Sequence, residues 1–262
     1  MYERPLNDDP AASNAYDALK NTADKVMQGL EKVREHKEIN RRRWLWELVQ
    51  NAKDLPNRFG RLSIKLVRQQ DQLTFAHNGD PFRVRDVTAL INQVSSKPSD
   101  SIDAQITGKY GTGFISTHLL STTIEVTGVI QREGLPAKLM RLMLDREGNR
   151  SEDLIPKIEK ARALVERIDS DAAFQDLPDY DTRRTEESFD TEFTYRLVTD
   201  DARETASVGL ADLVNTLPYT LGNLAQVKRM LVEDMVTGRT LDYRCEVVAN
   251  DGAIRKLRMT AG

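Results

Sequence analysis

The stretch RRRWLWELVQNAKD, Arg41 to Asp54, opens with three arginines and two tryptophans, then sets Glu47, Gln50, Asn51 and Asp54 among Leu45, Leu48, Val49 and Ala52. Wound as a helix at about 100° per residue, the four apolar residues gather on one side. The four oxygen- and amide-bearing side chains gather on the other. A solvated face can carry such a stripe, but wet faces are usually dressed with lysine and mixed charge, whereas this one holds only carboxylates and carboxamides. Whether it meets water or a ligand depends on what the rest of the chain brings to it.

The chain has 262 residues, 39% of them hydrophobic, enough for one large or two small domains with a proper core. Charged residues make up 30%, yet the net charge is only −3, so no global field gathers nucleic acid or anionic lipid. A single cysteine, Cys245, excludes an internal disulfide framework and a cysteine-based zinc site, and fits a reducing compartment. No apolar run approaches the ~20 residues that span a bilayer, and MYERPLNDDP lacks a signal-peptide core. The expectation is a cytoplasmic protein with no membrane association.

Leu19, Ala23, Val26, Met27, Leu30 and Val33 recur at three- and four-residue spacings and predict a helix over Ser13 to His36. RLSIKLV and QLTFAHN alternate across a polar turn at Gln69 to Asp71 and predict a β-hairpin that delivers the chain to His77, Asn78 and Gly79. A further helix is expected from an N-cap at Asp86 through Val94, followed by the polar loop SSKPSDSIDAQ and by TGKYGTGFISTHLLS, three glycines before a short apolar helix. TTIEVTGVI and AKLMRLML read as strands and Ser151 to Ile168 as a helix. Asp169 to Glu187 reads as a solvated acidic excursion. A strand at SFDTEFTYRLV, a helix from Glu204 to Thr216 and a closing α/β segment through DYRCEVVANDGAIRKLRM complete the pattern.

Gly108, Gly111 and Gly113, with Lys109 among them, precede a predicted helix. Glycine lets the backbone come close to a ligand, and free N–H groups at a helix start favour an anion, so this is a candidate phosphate cradle. It fits neither the Gly-x-x-x-x-Gly-Lys spacing of a P-loop nor the dinucleotide fingerprint. A turn that serves only packing remains the alternative.

Taken in order, a helix with Glu-x-x-x-Asn, a strand ending in Asn-Gly and a Gly-x-x-Gly-x-Gly-Phe turn after a polar loop resemble the GHKL ATPases: gyrase B, the heat-shock chaperone with an N-terminal ATP site, histidine kinases and MutL. ELVQNAKD matches the N box and GKYGTGF the lid glycine box, while HNGDPF, SSK and LPYTL are similar to the sacsin and NO VEIN type. The resemblance spans roughly Lys32 to Leu221. It implies a Bergerat fold, a two-layer α/β (α+β) sandwich with a mixed, mostly antiparallel sheet and helices on one face. The expected organisation is a helical extension over 1–31, the ATP-binding domain over 32–222 and an α/β segment over 223–262 that opens a following region of a longer protein.

The resemblance implies Mg²⁺-dependent ATP hydrolysis, slow in an isolated domain, with lid closure and possible dimerisation driving a larger chaperone-like, defence or DNA-related protein. By position Glu47 is the general base toward water at the γ-phosphate. Asn51 supplies its carboxamide oxygen to Mg²⁺, and Asp54 contacts water or ribose. Ser96 and Lys97 of SSK, with Gly108, Lys109, Tyr110, Gly111, Thr112, Gly113 and Phe114, wrap the phosphates. Thr191 matches the strand threonine that contacts adenine, although Asp190 stands where glycine is usual. His77, Asn78, Gly79 and Asp80 replace the Asp-x-Gly-x-Gly adenine box, so the aspartate that accepts from the adenine amino group is absent, and the side chains of His77, Asn78 and Asp80 are the remaining acceptors.

The alternative from a different class is a degenerate nucleotide sensor or interaction module without turnover, which the altered adenine box favours. A nucleic-acid interface built on Arg41, Arg42 and Arg43 with Trp44 and Trp46 as stacking groups is disfavoured, because Trp44 borders the apolar stripe.

Overall fold

The apolar stripe read from Arg41 to Asp54 lies on a helix whose partners are another helix and a sheet. The structure, a computed structural model, describes residues 10–55, 57–93, 113–221, 224, 226–250 and 255–261. Helix α1 (Pro10–Glu35) and helix α2 (Lys37–Lys53) follow one another with only His36 between them. Trp44, Leu45, Leu48, Val49 and Ala52 of α2 are buried. The Trp44 indole N–H donates to the carbonyl of Thr205 at 3.2 Å, and that of Trp46 to Asp212 at 3.2 Å, which fastens α2 to helix α6 (Asp200–Leu221). Trp44 is fully buried and offers no face for a base to stack on.

The hairpin forms as the alternation predicts. Strand β1 (Leu62–Arg68) pairs antiparallel with strand β2 (Gln72–His77), Leu66 facing Phe75 and Ile64 facing His77. Strands β3 (Thr123–Ile130), β4 (Ala137–Asp145), β5 (Phe174–Leu177), β6 (Thr191–Arg196), β7 (Val227–Asp234), β8 (Arg239–Asn250) and β9 (Arg255–Ala261) join them in one nine-stranded sheet of order β5-β4-β3-β6-β2-β1-β7-β8-β9. Among the described residues, β1 and β7 are the only neighbouring strands that run parallel. The protein is therefore α+β, with helices layered on a mixed sheet.

Period-two alternation decides which face the helices cover. Ile64 and Leu66, Phe75 and His77, Phe193 and Tyr195, Ile124 and Val126, and Leu142 and Leu144 are cross-strand neighbours, and all are buried. They share one core with the apolar residues of α1, α2, α6, helix α3 (Val84–Asn92) and helix α4 (Ser151–Glu166). The intervening positions are more exposed and carry ion pairs such as Lys65 with Glu233 at 3.0 Å and Arg141 with Glu125 at 3.8 Å.

The structure departs from the sequence reading at several elements. Asp86 is not the N-cap of α3: it sits at the third helical position, and its carboxylate accepts the backbone N–H of Arg83 at 3.0 Å, a reach-back bond that also marks a helix start. The apolar helix after Gly113 is a 3-10 turn, Phe114–Leu119, and α6 extends well beyond Glu204 to Thr216 at both ends. Asp169 to Glu187 is not a solvated excursion. It contains β5, which pairs with β4, and a one-turn helix α5 (Tyr180–Arg183), and it buries Tyr180 and Arg184. The C-terminal segment, expected as α/β, consists of strands among its described residues, the first of them parallel to β1.

Candidate functional site

Glu47 leaves the polar side of α2 and lies against Gly113. A Cβ added to Gly113 would stand 2.0 Å from Glu47 Oε2 and 2.7 Å from its Cδ, so the missing side chain is what lets the carboxylate lie there. The other oxygen, Oε1, accepts from Arg43 one turn earlier at 3.0 Å. Glu47 is 13% exposed in this pair, so the stripe faces the start of the 3-10 turn and not bulk solvent at this point. One turn on, Asn51 is buried at 3% exposure. Asp54 caps the helix, its N–H donating to the carbonyl of Gln50 at 3.3 Å, with its side chain 6% exposed and 3.6 Å from the ammonium of Lys53.

The strand ends complete the constellation from below. His77 and Thr191 are register partners across β2 and β6, both buried. The His77 ring lies 6.4 Å from that of Phe193, and Phe193 lies 5.6 Å from Phe114, the residue after Gly113. Leu55, just past α2, lies 3.1 Å from where a Gly79 Cβ would be. Helix α2, the end of β2, β6 and the Gly113–Phe114 turn therefore meet in one place. Ser96, Lys97, Gly108, Lys109, Tyr110, Gly111 and Thr112 lie outside the described residues.

Within the His77–Asp80 turn, chemistry is divided unevenly. Asn78 is wholly buried and works as a structural node: its side-chain oxygen accepts from Ser63 N at 2.7 Å and Asn57 Nδ2 at 3.0 Å, and its amide donates to the Glu186 carbonyl at 2.8 Å. Asp80 accepts from Arg184 at 2.6 Å and from the backbone N–H of Arg58 at 3.2 Å. Burial, with the charge of Arg184 added, lowers the His77 pKa to about 3, so its ring is neutral.

Arg184 is the residue the sequence did not single out. Its side chain is fully buried. Besides Asp80 it donates to the carbonyls of Asn78 at 2.8 Å and Gly79 at 2.6 Å and to Asp190 at 2.8 Å, and it lies over the rings of Phe59 and Tyr180. The Tyr180 hydroxyl donates to Asp190 at 2.8 Å, and burial followed by that bond raises its pKa. Asp190 is thus the anchor of Arg184. The one visible signal was its presence where the resembling proteins carry glycine.

A cleft of about 780 Å³ opens beside Asp80, with Arg58, Arg83, Arg132 and Tyr180 in its wall. Glu47, Asn51, His77 and Thr191 do not line it, so it is separate from the convergence described above. Among the described residues no group of three or more His, Cys, Asp or Glu side chains is arranged to hold a metal ion, and no helix is long and apolar enough to cross a membrane. No protein-family model matches the chain, and comparison with curated proteins finds no match either.

Proposed function

We propose that the chain is a nucleoside-triphosphate-binding domain of the GHKL type with a Bergerat fold, that it hydrolyses ATP with Mg²⁺, and that it powers a conformational change in a larger chaperone-like, defence or DNA-related assembly. The observation that carries this reading is the Glu47 carboxylate resting on Gly113, where a general base and a glycine turn converge from positions 66 residues apart. Supporting it are a helix layer on a mostly antiparallel mixed sheet and the pairing of His77 with Thr191, on the strand whose Phe193 meets Phe114 after Gly113.

In this reading Glu47 takes a proton from water as the water oxygen attacks the γ-phosphorus and the bond to the leaving diphosphate breaks. Gly113 keeps space for that carboxylate, and its own backbone N–H would be offered to the phosphates. Asn51 would hold Mg²⁺ through its carboxamide oxygen; one neutral protein ligand is enough for an ion that keeps its waters and binds phosphate oxygens. When bound, Mg²⁺ supplies charge neutralisation along the triphosphate. Thr191 and His77 form the floor on which the base would rest.

Calorimetric titration of ATP with Mg²⁺, combined with phosphate release, tests this. Parent and Glu47→Ala should both bind, with turnover lowered about 10²-fold or more in the variant, and Asn51→Ala should lose the Mg²⁺ dependence of binding. Binding without turnover in the parent favours the sensor reading, supported by the saturated Asn78. Absence of binding removes the ATPase and the nucleotide-sensor readings and leaves the interaction module that binds no nucleotide.

A further inference from the structure

The turn after β2 is chemically reactive as well as tightly bonded. It holds the one Asn-Gly pair in the chain, Asn78–Gly79, the sequence in which an asparagine carboxamide is most readily attacked by the next peptide nitrogen, because glycine sets no Cβ in the way of that approach. The fold requires both residues all the same. Asn78 works as acceptor and donor at once: its oxygen takes Ser63 N at 2.7 Å and Asn57 Nδ2 at 3.0 Å, and its amide gives to the Glu186 carbonyl at 2.8 Å. Aspartate would lack the donor. At Gly79 a Cβ would stand 3.0 Å from His77 Nδ1 and 3.1 Å from Leu55 Cδ1, which leaves no room for a side chain.

Ring closure between the two needs two rotations. The carboxamide must swing toward the Gly79 nitrogen, and the peptide between Asn78 and Gly79 must turn to free that nitrogen. Both movements break bonds. The carboxamide is held at its oxygen and its nitrogen, as above, while the peptide is held at both of its polar atoms: the Asn78 carbonyl accepts from Arg184 at 2.8 Å and the Gly79 N–H donates to His77 Nδ1 at 3.2 Å. Arg184 also takes the Gly79 carbonyl at 2.6 Å and is itself fixed by Asp80 and Asp190. Asn78 is fully buried, so its neighbours and not solvent decide whether the reaction starts.

We propose that Asn78 is a covalent modification site that the fold keeps closed: it remains an asparagine while Arg184 grips the turn, and converts to aspartate or isoaspartate when that grip opens. In the open turn the Gly79 nitrogen gives up its proton and bonds to Asn78 Cγ, the Cγ–Nδ2 bond breaks, and ammonia leaves with the proton. Water then adds to a carbonyl of the cyclic imide and opens it. Loss of ammonia makes the change one-way. The product cannot rebuild the node, since a carboxylate oxygen would face the Glu186 carbonyl, acceptor against acceptor. Conversion therefore records how often the turn has opened and leaves it loosened afterwards, whatever the neighbouring site binds.

Peptide mass mapping of the full chain, incubated at neutral pH folded and in parallel unfolded in guanidinium chloride, counts conversion at residue 78 by the mass gained when an amide becomes an acid. Reaction from an open state tracks the population of that state, so the folded chain should convert more slowly than the unfolded one by about tenfold or more. Arg184→Met, still folded, should convert faster than the parent by a similar factor. Ile158→Ala, which leaves a cavity of comparable cost in α4, separates local opening from general loss of stability: its rate should stay below that of Arg184→Met. If Arg184→Met does not fold, Asn57→Ala, which removes one bond to the carboxamide alone, should still raise the rate above the parent's. Equal rates in folded and unfolded parent overturn the proposal, as does an unfolded chain that does not convert. Equal rates in Arg184→Met and Ile158→Ala overturn it as well, because the reaction would then run from the unfolded chain and not from the turn.

Discussion

Helix α2 and the His77–Asp80 turn both carry polar side chains into the same site, yet they are built by different rules. On α2 the direction of each side chain follows from the helix period: apolar residues face the core, and Glu47 points at Gly113, its hydrogen-bond partner among the described residues being Arg43 one turn away. In the turn almost nothing is local. Asn78 is fixed by Ser63, Asn57 and Glu186, and Asp80 by Arg58 and by Arg184, a residue more than a hundred positions along the chain. A helix can place a catalytic group by itself, whereas a strand-end turn needs a distant side chain to hold its peptides. Disturbing the turn should therefore affect the whole fold, and disturbing the helix face should affect only chemistry.

Arg184→Met is the severest way to break that contrast. It keeps most of the apolar volume between Phe59 and Tyr180 but leaves Asp80 and Asp190 without their buried counter-charge. Removing one partner of a buried pair typically costs about 3–5 kcal/mol. The expected result is an unfolding free energy, from urea titration, lowered by that amount together with weakened nucleotide binding. Unchanged stability would mean that the turn holds itself.

The same contrast explains what could be read from the sequence. Helix α2, the β1–β2 hairpin and β3 with β4 were legible because their periods of 3.6 and 2 are written in consecutive residues. Glu47, Asn51 and Gly113 were legible through spacing within two short segments. The parallel pairing of β1 with β7 could not be seen, since it joins segments about 160 residues apart in the chain and leaves no local mark. Strand β5, FQDL, is too short to alternate and lies in an acidic stretch, and Arg184 sits beside it in a run of charges that resembles a solvated loop. Its role depends on Asp80 and Asp190, which come from two different strand ends.

Acid sharpens the comparison, because it acts on His77 at the turn and on His118 in the 3-10 segment, while the apolar stripe of α2 has no group that titrates. Both His77 and His118 have folded-state pKa values lowered from 6.5 to about 3, by burial first and then by Arg184 and Arg146 respectively. Between those values the unfolded chain takes up protons that the folded chain refuses. This contribution is therefore fully present above about pH 6.5 and is lost as pH falls toward 3. At pH 5 each imidazole should withdraw about 2 kcal/mol of stability. Urea midpoints at pH 7.5 and 5.0 measure the loss, and His77→Gln should remove about half of it. Equal midpoints at the two pH values would show that both rings are open to solvent.

The mildest disturbance separates what aims Glu47 from what merely accompanies it. Arg43 is 62% exposed, and its pair with Glu47 is an ordinary one-turn contact, so Arg43→Gln should cost only about 0.3–0.5 kcal/mol and change phosphate release by less than about twofold. Gly113→Ala makes the opposite kind of change: its methyl group would occupy the space of Glu47 Oε2 and push the carboxylate off the turn. If steric fit aims the carboxylate, the alanine variant loses turnover at nearly unchanged stability while the glutamine variant retains it. The reverse ranking, measured as phosphate release at saturating nucleotide, would transfer the positioning role from the glycine to the arginine and make the helix face as dependent on a partner as the turn is.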